Sequence, residues 1–238
     1  ERRMASKILN KDKKKIEDSK DSPERCASRK VAFVGAGGVS TMLLFMHTAS
    51  KVTKMQIAES FFHCSAEPKV RSQMVQQGAL NVIFKLLSSA HDSGVAEVNK
   101  YKLLASHALA RILISVNPNL LPEIQVLESV GPLVRLAKQD YALQQFEALL
   151  ALTNIATVGL EVQEKLVDTG YGVIEELQWS NHQMVVRAAT ETLCNCISCD
   201  KVLSSLRDAS KHKVWLALAL SEDVPTAAAA LGALAMAT

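Results

Sequence analysis

Aromatic residues are scarce in this sequence: six Phe, three Tyr and two Trp make up 5% of 238 residues. Leu, Ala and Val carry most of the apolar content, a core that suits helix packing better than a β-sandwich. No apolar run reaches the roughly 20 residues that span a bilayer, and no secretory h-region opens the chain. Membrane insertion and secretion are therefore not expected. Cysteine is also sparse and unsuited to a disulfide framework. The five are Cys26, Cys64, Cys194, Cys196 and Cys199, an odd number with three crowded into "CNCISC". That usage predicts a reducing, cytoplasmic setting.

Catalytic signatures are missing too. There is no HExxH, no GxSxG and no Walker loop, and none of the six His stands at a ligand spacing. Glu175 and Glu176 are adjacent and so face different ways on a helix. On a helix Cys194 and Cys196 point about 200° apart and cannot converge on one ion. Packed thiols are the plainer reading of that cluster. The chain is read as a non-enzyme with no metal and no cofactor.

One stretch argues the other way. "RKVAFVGAGGVS" (29–40) looks like a strand running into Gly35, Gly37 and Gly38, as a dinucleotide-binding turn does. Yet Ser40 stands at the third glycine position, and the following residues are helical in pattern with no second strand or closing acid. A glycine also recurs in equivalent surroundings, at Gly37, Gly78, Gly131 and Gly170. The glycines are therefore expected to serve sharp helix-to-helix turns, where Gly tolerates φ > 0.

Charge is unevenly placed. Residues 1–30 hold 11 Lys/Arg against 6 Asp/Glu, whereas the rest holds 16 against 18. Acids are interleaved with the bases and aromatics are absent there, so residues 1–22 are predicted to be a flexible charged lead-in, not a nucleic-acid or membrane-binding arm.

From residue 23 to 238 the chain is a succession of amphipathic segments. Four of them repeat one pattern, an apolar helix, a small-residue turn and a second apolar helix: "VAFVGAGGVSTMLLFM", "RSQMVQQGALNVIFKLL", "IQVLESVGPLVRLA" and "EKLVDTGYGVIEELQ". A longer helix follows each, and the unit is about 40 residues, the range of armadillo and HEAT repeats. The fold class predicted is all-α, an armadillo-like right-handed superhelix of three-helix repeats, about four and a half of them. Residues 88–100, "SSAHDSGVAEVNK", read as an inserted loop.

In such a solenoid the third helices stack side by side and line a concave face. Aligning them places Arg111, Asn154 and Asn195 in one column, with Phe62 and Ala235 as weaker fits at its ends. Asn is unfavourable in mid-helix, so two in equivalent positions need a reason. One is bonding to their own helix or to the neighbouring repeat. The other is gripping an extended partner backbone with donor and acceptor. One turn earlier lie Glu147 and Leu150, then Arg187 and Glu191 in the next repeat, the charge and apolar mixture of a peptide groove.

At these residues the chain resembles a known family. "QFEALLALTNIA" (145–156), "VRAATETLCN" (186–195), "SHALARILISVNPN" (106–119) and "LGALAMAT" (231–238) are similar to the UCS-domain myosin chaperones. The resemblance implies an armadillo-type superhelix whose concave groove binds the myosin motor domain and assists its folding and assembly. It implies a groove of Arg111, Phe146, Glu147, Leu150, Asn154, Arg187, Glu191 and Asn195. In the family, Hsp90 docks on a tetratricopeptide domain with no counterpart here, so Hsp90 contact is not carried over. Further helices are expected beyond Thr238, which makes this chain a piece of a longer protein. The competing expectation is a generic armadillo adaptor that binds a linear peptide.

Overall fold

Residues 22–88 and 96–237 are described by the structure, a computed structural model. Residues 1–21 of the lead-in and 89–95 of the expected inserted loop lie outside them, while residues 96–100, read as loop, begin a helix instead. Within the described residues there is no strand, and the helices fall into five successive groups. The first comprises α1 (Pro23–Gly35), α2 (Gly38–Phe45) and α3 (Lys51–Ser65). The second has α4 (Arg71–Gln76), α5 (Ala79–Leu87) and α6 (Ala96–Ser115). The third has α7 (Glu123–Ala137) and α8 (Ala142–Ile155). The fourth has α9 (Leu160–Leu177) and α10 (Gln183–Asn195). The fifth has α11 (Asp200–Arg207), α12 (Ala209–Ala219) and α13 (Val224–Ala237).

Local chemistry sets several of these boundaries. The Ser22 hydroxyl accepts from the Arg25 amide with Pro23 in the first turn, and Ser50 does the same for Thr53. Each satisfies one of the orphan donors of a helix start. Gly37 and Gly78 have φ of 81° and 87° and open α2 and α5. These are left-handed positions that a side chain resists, and both are turns as the sequence predicts.

Gly131 and Gly170 are not. Both sit inside continuous helices, so groups three and four each have one long helix where the repeat pattern predicted two. Neither glycine has positive φ among the backbone angles. The pattern is the same for a different reason at Gly170. A Cβ there would lie 2.6 Å from Cγ2 of Val134, so the missing side chain lets α9 approach α7.

The helices form two layers. The last helices of the five groups, α3, α6, α8, α10 and α13, pack each against the one before, and α2, α5, α7 and α9 stack in the same order behind them. The core lies between, with Leu86, Leu109, Ile112, Leu133, Leu149 and Leu152 fully buried.

Two substitutions check this packing. Leu152→Ala should destabilise by about 2–5 kcal/mol in chemical denaturation. Gly170→Ala should lower the melting temperature through overpacking on stiff Val134. Gly172→Ala, two residues on in the same helix with nothing within 4 Å of the added carbon, should raise it. Equal shifts for the two glycines would contradict the close α7–α9 approach.

Candidate partner-binding face on the third helices

The column predicted from sequence is present, and its polar groups point back along the stack. The last four carbonyls of an α-helix have no partner within the helix. Nδ2 of Asn154 on α8 donates to the Leu113 carbonyl at 2.6 Å and to that of Val116 at 3.1 Å, both at the C-terminal end of α6. Nδ2 of Asn195 on α10 donates to the Thr153 carbonyl of α8 at 3.1 Å. Arg111 on α6 donates through Nη1 to the Phe62 carbonyl of α3 at 3.2 Å. At three successive junctions, then, a residue in the same column caps the C-terminus of the preceding helix. The first reason for a mid-helix Asn, bonding to the neighbouring repeat, is the one seen.

This use leaves part of each amide over. Both protons of the Asn154 amide are engaged, while Asn195 has one free. No donor among the described residues meets Oδ1 of either.

The charges one turn earlier are mostly engaged with one another. Nε of Arg111 donates to the Glu147 carboxylate at 3.0 and 3.2 Å, and its guanidinium stacks 4.5 Å from the centre of the Phe62 ring. His107 closes the set with a short contact to the same carboxylate. Burial pushes the Glu147 carboxyl up, but hydrogen bonds and charge from His107 and Arg111 outweigh it, and its pKa ends below the usual carboxylate value. Arg187 on α10 forms a forked ion pair with Asp223, with Nε to Oδ2 at 2.9 Å. Asp223 also accepts from the Thr226 amide and hydroxyl, capping α13. The Arg187 bond holds the Asp223 carboxyl well below its ordinary range.

Glu191 differs. Burial raises its pKa, Arg187 pulls it back and Asp223 adds to the rise. No hydrogen bond reaches it among the described residues. Phe146 and Leu150 lie half-buried against the core. The eight predicted residues therefore divide. Arg111 and Glu147 are joined directly, Arg187 joins Asp223, Phe146 and Leu150 support the core, and Asn154, Asn195 and Glu191 retain unfilled capacity.

Sequence reasoning missed His107 and Asp223. A signal existed for each: His107 precedes Arg111 by four residues in "SHALAR", one helical turn, and "EDVPT" carries the Asp and Pro of a helix start. Their partners lie in other repeats, 40 and 36 residues away. Cys64, Cys196 and Cys199 pack in the core and Cys194 lies against it. Cys196 and Cys199 are buried, and burial drives the Cys196 thiol up to about 12. No helix among the described residues is long and apolar enough to cross a membrane.

Two stacked layers of short helices, in groups linked across the last helix of each, define an armadillo-like repeat protein. A designed armadillo repeat protein superposes with a TM-score of 0.63 over 89% of this chain and 87% of its own, at 20% identity. The homologues are UNC-45 proteins of the UCS-domain family. Human protein unc-45 homolog B is 31% identical over 231 residues, 93% of this chain and 24% of the relative. UNC-45 from Drosophila melanogaster superposes with a TM-score of 0.80 at 28% identity, over 88% of this chain and 26% of that one. Another solved structure, described by the molecular features of the UNC-45 chaperone critical for binding and folding muscle myosin, gives 0.82 at 24% identity over 92% of this chain and 25% of its own. The chain thus spans about a quarter of the length of these relatives. No family model matches it.

Asn154→Ala should cost about 1–3 kcal/mol, more than Asn195→Ala, because it strips a cap from two carbonyls instead of one. Urea denaturation of both variants checks the order. The Glu147 pairing should act as an acid switch on stability. Its folded pKa lies below the unfolded value of about 4.3, so its contribution is complete above that pH and lost as pH falls through the folded value. Glu147→Gln should flatten the acid limb of the melting temperature as pH falls below the unfolded carboxyl value.

Proposed function

We propose that this chain is a myosin-directed chaperone module that holds a motor domain along the face formed by α3, α6, α8, α10 and α13, and assists its folding and assembly without bond chemistry. The observation that carries the reading is the orientation of the column. Each Asn directs its donor into the stack, and no described donor meets Oδ1 of Asn154, Oδ1 of Asn195 or the Glu191 carboxylate, three acceptors on the neighbouring helices α8 and α10. Such acceptors suit the backbone N–H groups of an extended client segment. The homology to UNC-45 supplies the client class.

Contacts of this kind are modest singly and accumulate along a repeat surface. That suits a chaperone, which must release what it holds. The internally satisfied groups, Arg111, Glu147 and Arg187, position these acceptors. Phe146 and Leu150 fix the helix that bears Asn154.

The test uses a variant that breaks no bond of the fold. Glu191→Lys should weaken binding of a purified myosin motor domain by about tenfold or more, because it replaces an acceptor with a charge that repels N–H groups. Protection of the motor domain from heat aggregation should fall with it, while the melting temperature of the chaperone stays near that of the parent. Undiminished binding and protection by Glu191→Lys would remove the client from this face.

A further inference from the structure

A separate cavity lies between the end of α9 and α12, away from the third-helix column. It measures about 310 Å³ and is lined by Glu175, Glu176, Gln178, Trp179, Lys211 and Trp215. That volume sits at the lower end of the range for ligand sites and takes one side chain with a short piece of backbone.

Three independent features make it a site. The first is an unmet hydrogen-bond donor. Gln178 is 4% exposed, and its Nε2 meets no acceptor among the described residues. A buried amide left so is costly, and native structures rarely leave one without a purpose. The second is an aromatic plate. Trp179 is 65% exposed at the rim, on a turn whose backbone N–H donates a hydrogen bond to the Glu176 carbonyl at 3.0 Å. The third is charge. Lys211 Nζ sits 2.6 Å from Oε1 of Glu175 and answers that carboxylate. Glu176 has no cation within reach among the described residues, so one negative charge remains.

A carboxylate beside an exposed indole face selects a cation, and a planar guanidinium stacks on Trp better than an ammonium does. A guanidinium offers donors only, so it leaves Gln178 unanswered. What answers Gln178 is a carbonyl oxygen next to that cation. We infer that the cavity between α9 and α12 binds an arginine-bearing peptide segment of a partner protein, with the guanidinium over Trp179 and against Glu176, and a main-chain carbonyl accepting from Gln178. The site lies away from the third-helix column and stands whether or not that face binds myosin.

The chain supplies its own reporter, because its two tryptophans, Trp179 and Trp215, both line this cavity. Titration with the blocked tripeptide acetyl-Gly-Arg-Gly-amide should change tryptophan emission saturably, with a Kd near 1 mM or below. The citrulline tripeptide, equal in shape and neutral, should bind about tenfold more weakly, and methylguanidinium, which lacks the carbonyl, should also lose affinity. Glu176→Gln should abolish the preference for arginine over citrulline without moving the melting temperature. Gln178→Met should weaken the tripeptide and leave methylguanidinium unchanged. No saturable change with the arginine peptide, equal binding of the citrulline peptide, or an unaltered preference in Glu176→Gln would each overturn the assignment.

Discussion

The end of each third helix is completed by the helix that follows it. A helix C-terminus carries carbonyls that nothing within the helix can satisfy, and in a solenoid those ends are not all free to meet water. Here Arg111, Asn154 and Asn195 reach back across three junctions to meet them. Because each repeat touches only its neighbours, such junctions carry the continuity of the whole stack. The same column therefore sets both the spacing of the helices and the chemistry of the surface they share.

That double use explains how charge is arranged on the face. Groups of high energetic consequence are turned inward and paired: Arg111 and His107 with Glu147, Arg187 with Asp223. A half-buried charge without a partner is costly, so these positions behave as clamps between helices. Three acceptors remain without a described donor: Oδ1 of Asn154, Oδ1 of Asn195 and the half-buried Glu191 carboxylate. On the proposed reading, such weak acceptors on a stiff frame favour broad, reversible contact over tight binding to one ligand.

The second layer works by different means. There α9 lies close on α7 because Gly170 has no side chain to hold Val134 away. Its far end turns at Gln178 and Trp179 beside α12, and Tyr171 and Glu175 tie that end to Ser205 and Lys211. A long helix without a mid-point turn sets a buried amide, an exposed indole and an unpaired carboxylate at one place. The two layers thus present different chemistry: capping amides on one side, and on the other a compact corner of a buried amide, an exposed indole and acidic side chains.

The helical class, the repeat and the column of Arg111, Asn154 and Asn195 were legible in the sequence, because apolar periodicity and repeat alignment are local properties of the chain. So was the turn role of Gly37 and Gly78. Gly131 and Gly170 look identical in sequence but lie inside helices, and only across from Gly170 does a neighbouring helix show why the side chain is missing. The direction in which each Asn points, the partners of Glu147 and Arg187, and the unmet amide of Gln178 were decided by tertiary structure. The bonds among them run to atoms some 35 to 50 residues away along the chain. Sequence fixes which side chains share a helix face; only the packing of one repeat on the next determines which hydrogen bonds they make and which they leave for a partner.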